Sequence, residues 1–186
     1  LIVDELKLSH TPPHAAVAYF YCDYRSKHTS PLVSALGGIL RFLVESLDSI
    51  PTPLQDLFES TRREGRAPLP IELEELIHSI SASFNRCYIL VDAMDEFSIE
   101  DQTQTTQFIK TLDSLVRAGT SVLVTSRTLP GPGMSRCVIE QYTAADNDIR
   151  SYIAHALHSD ESVMDLLDSQ LERDITNTVV DCANGM

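Results

Sequence analysis

Apolar positions along the chain follow two spacings in turn, a recurrence every three to four residues and short unbroken runs. Leu32, Leu36, Leu40, Leu43 and Leu47 recur at helical spacing, so this stretch predicts a helix with one buried face. Ser30 reads as its N-cap and Pro31 as its first helical residue. Gly37-Gly38 in the middle costs about 1 kcal/mol per glycine relative to Ala, which points to close packing or a locally weak helix. Pro51 and Pro53 set off a second helix over 54–63, and Pro68 and Pro70 a third that carries Leu73, Leu76, Ile77 and Ile80. A fourth over 101–117 turns Phe108, Leu112 and Leu115 to one side and is stopped by Gly119. Beyond Asp146, the sets Ile149, Tyr152, Ile153, Leu157 and Leu171, Ile175, Val179 predict two more helices, and residues 1–8 read as two turns closed by Thr11-Pro12-Pro13. The unbroken runs over 15–24, 87–91, 121–125 and 137–142 predict strands. Their alternation with helices calls for an α/β fold, a three-layer, mostly parallel sheet.

Composition narrows the class without naming a function. The 186 residues are 43% hydrophobic and 22% charged, ordinary for one globular core with a helical appendage. A formal charge of −13 and the lack of a dense Lys/Arg cluster argue against nucleic acid as a partner. Arg62, Arg63 and Arg66 are diluted by Glu59 and Glu64 and read as a solvated helix end. No run approaches the length of a membrane span and no signal peptide is visible, so no membrane partner is expected. Cys22, Cys87, Cys137 and Cys182 lie far apart, three of them in strand-like runs, which reads as buried reduced thiols of a cytoplasmic protein. His155 and His158 share a helix face but have no third ligand nearby in sequence, so they read as surface histidines. Tyr19, Phe20, Tyr21 and Tyr24 read as core and sheet edge, since no basic groove accompanies them.

The candidate chemistry sits where the run over 87–91 breaks into Asp92-Ala93-Met94-Asp95-Glu96. Such a run without polar alternation suits a parallel strand covered on both faces, and open parallel sheets bind ligands at the carboxyl ends of their strands. Asp92 there suits Mg²⁺, a hard ion that keeps several waters and is shared with substrate phosphates. Asp95 and Glu96, one turn on, are placed to orient or deprotonate a water. Arg127, after the run over 121–125, could bind a terminal phosphate bidentately. In a parallel sheet these groups, with the loop after Tyr24, project into one crevice and supply the positioning and charge that phosphoryl transfer needs. The plainer alternative is a strand ending in an acidic turn and an exposed arginine.

These segments carry a family resemblance. ILVDAMDEF resembles the Walker B strand of the NACHT family of signal-transduction NTPases, and VLVTSR its sensor 1 strand. AVAYFYCDYR, SPLVSALGGILRFL and the final VVDCANGM are similar to the fungal NACHT proteins and the nephrocystin-like N-terminal domain. The resemblance implies a nucleotide-dependent oligomerising switch that self-associates through NACHT domains, with Mg²⁺ and ATP or GTP as cofactors. It implies Asp92 as the metal ligand, Asp95 and then Glu96 as the catalytic acids, and Arg127 as the nucleotide-phosphate ligand. One part of the pattern is missing. No G-x-x-x-x-G-K-[ST] occurs, and Gly131-Pro132-Gly133 lacks the lysine. In the family that loop precedes the segment resembling residues 1–8, so the expectation is a P-loop NTPase sheet lacking its P-loop strand.

Residues 1–143 are then a partial NTPase core and 144–186 the start of the following helical region. The parent is expected to be an ATPase or GTPase, while this chain alone is expected to need no cofactor and to bind no nucleotide. Two alternatives stand beside that reading. One is an α/β interaction module without nucleotide chemistry. The other is a phosphoacceptor receiver-like domain with Asp92 as acceptor and Thr125 as switch, which lacks a lysine after its last strand and would have to accommodate the insert over 54–84.

Overall fold

A computed structural model describes residues 2–9, 15–23, 30–97, 102–128, 137–159 and 167–183. Three parallel strands form its sheet in spatial order β1 (Ala15–Tyr21), β2 (Arg86–Asp92) and β3 (Ser121–Val124). The register pairs Ala15 with Arg86 through Tyr21 with Asp92, and Tyr88 with Ser121 through Val91 with Val124. Because every strand runs the same way, their carboxyl ends lie along one rim.

Helices α1 (Ile2–Ser9), α2 (Pro31–Glu45), α3 (Thr52–Glu64), α4 (Pro70–Ser81) and α5 (Gln102–Arg117) accompany the sheet. The bounds over 101–117 and 15–24 shorten slightly, and Asp101 and Tyr24 lie outside the described residues, as do the breaker over 11–13, the loop over 25–28 and Gly131-Pro132-Gly133. The buried face of β2 (Cys87, Ile89, Val91) shares one core with Leu36, Ile39 and Leu43 of α2, Ile77 of α4 and Leu112 of α5. Each such side chain contributes about 1.5–3 kcal/mol by leaving water. Tyr88 and Leu90 on the other face are only half-buried, less than an unbroken apolar run implies.

Local chemistry explains why the elements sit where they do. Gly38 is a close approach, since a Cβ there would lie 3.4 Å from the Phe20 ring, whereas Gly37 faces open space. Ser30 is the N-cap of α2 but makes no side-chain capping bond. The donor is satisfied from another element: Leu32 N–H donates to Gln104 Oε1 of α5 at 3.2 Å, which ties the start of α2 to α5. Arg66 is more than a solvated helix end. Its guanidinium grips Glu72 bidentately at 2.8 and 2.7 Å, while the Leu69 N–H donates to Glu72 at 2.7 Å. The α3–α4 connection is thereby clamped to the first turn of α4.

The run over 137–142 does not form a strand. Residues 137–145 have no regular secondary structure, and Val138, Ile139 and Tyr142 are exposed. Strand-forming side chains produce a strand only when backbone N–H and C=O groups find a neighbouring ladder, so propensity alone was misleading here. β3 is likewise less buried than its apolar run predicts, alternating exposed and half-buried residues at the edge of the described sheet. Cys137 and Cys182 are exposed, so only Cys22 and Cys87 are the buried thiols expected from sequence.

The chain divides into two compact units, Leu1–Cys137 and Val138–Met186. In the second, α6 (Asp146–Ser159) and α7 (Ser169–Ala183) pack together around Ile153 and Val180. Asp168 caps α7, accepting from the N–H groups of Gln170 and Leu171 at 2.9 and 2.7 Å. No described helix is long and apolar enough to cross a membrane.

Candidate functional site

The carboxyl ends of β2 and β3 bring Asp95 and Glu96 into contact with Arg127 and hold Asp92 to Thr125 on the same rim. β2 ends at Asp92, and the chain then turns through Ala93 into a short 3-10 helix, Met94–Glu96. Ala93 adopts φ 54° and ψ 50°, a left-handed conformation that favours glycine. The turn is sewn to the segment after β3. Thr125 N–H donates to Val91 O at 2.9 Å, Met94 N–H to Thr125 O at 2.9 Å, and Ala93 N–H to Thr125 Oγ1 at 2.9 Å. From below, Phe97 stacks on Phe108 of α5 with centroids 4.7 Å apart, and Phe20 of β1 meets both rings edge-on. The acidic turn is therefore fixed by a backbone ladder on one side and an aromatic trio on the other.

Each acid has its own environment. Asp92 is exposed, and its Oδ1 accepts from the Thr125 hydroxyl at 2.5 Å, which leaves Oδ2 for other ligands. Asp95 is largely buried, with its side chain 12% exposed. It accepts from Arg127 Nε at 2.5 Å through Oδ2, and from the Arg127 N–H at 3.1 Å and Ser126 Oγ at 3.4 Å through Oδ1. Burial by itself raises the Asp95 carboxyl, but hydrogen bonds from the Arg127 side chain and backbone more than offset that and hold it below the usual carboxylate range. Glu96 receives Arg127 Nη2 at 3.4 Å. Asp95 and Glu96 in turn raise the Arg127 guanidinium, which is 70% exposed.

Cys22 closes the rim from β1, its N–H donating to Asp92 O at 3.0 Å. Burial, then the charges of Asp92, Asp95 and Glu96, push its thiol up to about 12, so it is an inert neighbour. Burial likewise pushes Cys87 up to about 11.

All four predicted site residues, Asp92, Asp95, Glu96 and Arg127, thus meet at one rim, and the loop over 25–28 lies outside the described residues. Sequence reasoning did not find the role of Thr125 in holding Asp92, nor the strained Ala93. Thr125 lay two residues before Arg127, and the signal was its hydroxyl at a parallel strand end facing a carboxylate one strand away. His155 and His158 behave as surface residues: His158 Nδ1 contacts Ala154 O at 2.7 Å. Among the described residues no three His, Cys, Asp or Glu side chains converge as a metal cage. A single exposed carboxylate oxygen still fits a cation that retains its waters and takes further oxygens from phosphates, the habit of Mg²⁺.

The described fold is an α/β one with a three-stranded parallel sheet, and the acids and arginine gather at its carboxyl rim, where open sheets of this class bind their ligands. The chain belongs to the nephrocystin 3 N-terminal family, whose family model matches residues 1–127 and so includes all four site residues. No curated protein matches it.

Proposed function

We propose that this chain carries the Walker B and sensor 1 half of a NACHT-type signal-transduction NTPase, a nucleotide-dependent switch that self-associates in the parent protein. The observation that carries the reading is the convergence of Asp92, Asp95, Glu96 and Arg127 at adjacent parallel strand ends in a member of the nephrocystin 3 N-terminal family. Asp92, oriented by Thr125, would hold Mg²⁺ through Oδ2. That ion would supply charge neutralisation for the phosphates. Asp95 would orient the attacking water with Glu96 in reserve, and Arg127 would read the terminal phosphate.

Among the described residues, three carboxylates and one guanidinium gather at this rim, a balance that repels a polyanion unless amides and a lysine cradle it. The sequence contains no G-x-x-x-x-G-K-[ST], so this chain alone binds no nucleotide. In the NACHT-type sheet the phosphate-binding strand lies beside the sensor 1 strand, here β3, and would occupy its outer edge.

The roles separate in a chain extended upstream by a phosphate-binding loop and its helix. Asp92→Asn weakens Mg-dependent binding, Asp95→Asn slows hydrolysis without weakening binding, and Arg127→Ala reduces discrimination between tri- and diphosphate. An Asp95→Asn protein with full turnover contradicts the assignment. An interaction module without nucleotide chemistry is indicated if the extended chain binds neither Mg-ATP nor Mg-GTP.

A further inference from the structure

The ion pair at the rim joins the two residues to which the proposed function gives separate tasks. Arg127 donates Nε to Asp95 Oδ2 at 2.5 Å and reaches Glu96 at 3.4 Å with Nη2, and its backbone N–H holds Asp95 Oδ1 at 3.1 Å. The arginine side chain is 70% exposed while the Asp95 side chain is 12% exposed. One partner can swing into water without unpacking anything, whereas the other is fixed. We propose that Asp95 and Arg127 are an exclusive pair: Arg127 either neutralises Asp95 or engages an anion in the crevice, and the anion that takes Arg127 releases Asp95 to accept a proton. This regulation rests on the functional reading above and adds that the same arginine holds the site off when no terminal phosphate is present.

The groups around Asp95 decide the sign of the effect. Around it are Arg127 and Ser126 beyond β3, Glu96 on its own turn, which shares Arg127, and the Cys22 thiol after β1. Among the described groups around it, Arg127 alone is cationic. Once its guanidinium departs, Asp95 retains burial and the neighbouring Glu96 carboxylate, both of which favour the protonated form. The carboxylate then changes from a spectator anion into a stronger base, at the moment a phosphate is bound. Conversely, an anion approaching the intact pair meets an arginine already neutralised by Asp95 and Glu96.

Two measurements test this without Mg²⁺ or turnover, the first on the full chain and the second on the chain extended upstream. In an NMR pH titration of the Asp95 carboxyl carbon, the wild type titrates below the ordinary carboxylate range, Arg127→Gln moves the midpoint up past it, and Arg127→Lys brings it part of the way back. Because Arg127 is exposed, these variants keep the fold, which the amide spectrum checks. A midpoint unchanged by Arg127→Gln overturns the pair. In the second measurement, inorganic pyrophosphate is titrated against the wild-type and Asp95→Asn forms of the chain extended upstream by a phosphate-binding loop and its helix, whose amides and lysine cradle the anion. The variant, with its arginine released, binds at least tenfold more tightly. Equal affinities, or no binding by either chain, overturn the exclusion of anions. Either failure leaves the NTPase reading standing, since that reading falls only with the turnover and nucleotide titrations of the extended chain.

Discussion

Ala93 stands in the left-handed region with φ 54°, immediately after Asp92, where a side chain is penalised by about 1–2 kcal/mol. Replacing Ala by Gly in ordered backbone normally destabilises by about 0.5–1 kcal/mol. Here the two effects oppose each other, so Ala93→Gly leaves the urea midpoint unchanged or raises it, and a clear loss of stability contradicts a strained turn. Nothing in the letters D-A-M-D-E exposes that strain, because a small residue after a strand is equally at home in ordinary extended backbone. The identity of the acids was legible for a different reason: carboxylates ending an apolar strand must face solvent, a ligand or a cationic partner, as Asp95 faces Arg127.

Arg66 and Glu72 show the limit of reading charges as solvated. The bidentate Arg66 bond, then the Leu69 N–H, hold the Glu72 carboxyl down to about 2 against an ordinary 4.5. A carboxyl lowered in the folded state contributes stability that is complete above the ordinary value and is lost as pH falls from about 4.5 to about 2. The stability gap between the wild type and Arg66→Ala is therefore widest at neutral pH and closes across that window. Denaturant melts at pH 7 and pH 2.5 check it, and a gap that does not narrow with acid contradicts the clamp.

At the scale of elements, the helices were legible because each presents one apolar face at a spacing no strand can use, as Leu32, Leu36, Leu40 and Leu43 do in α2. The partners between elements were not. Gln104 caps α2 from a position 72 residues away, and no local signal announces a bond across that separation. Strands were harder still, since residues 137–142 have a strand's composition without a strand's structure. Phe108 is the residue on which the site's support converges: it is fully buried, stacked on Phe97 and edge-on to Phe20. Phe108→Ala leaves a cavity beneath the acidic turn and destabilises by about 3–5 kcal/mol, read from chemical unfolding. A loss under about 1 kcal/mol would show that the aromatic trio does not support the turn.

For the molecule as a whole, the sheet's order and the gathering of its acids at one rim follow from parallel strands, and this much was legible because alternating strands and helices leave few topologies. The outer edge of β3, with Leu123 43% exposed, offers backbone groups and an apolar side chain to another strand. On the proposed reading that neighbour is the phosphate-binding strand, and its loop supplies the amides and lysine that three carboxylates otherwise repel ligand from. Calorimetric titration with Mg-ATP and Mg-GTP tests this most directly. The account predicts no saturable binding by residues 1–186 and saturable binding once the upstream phosphate-binding segment is joined to them. Tight stoichiometric binding by the present chain, or none by the extended one, contradicts it.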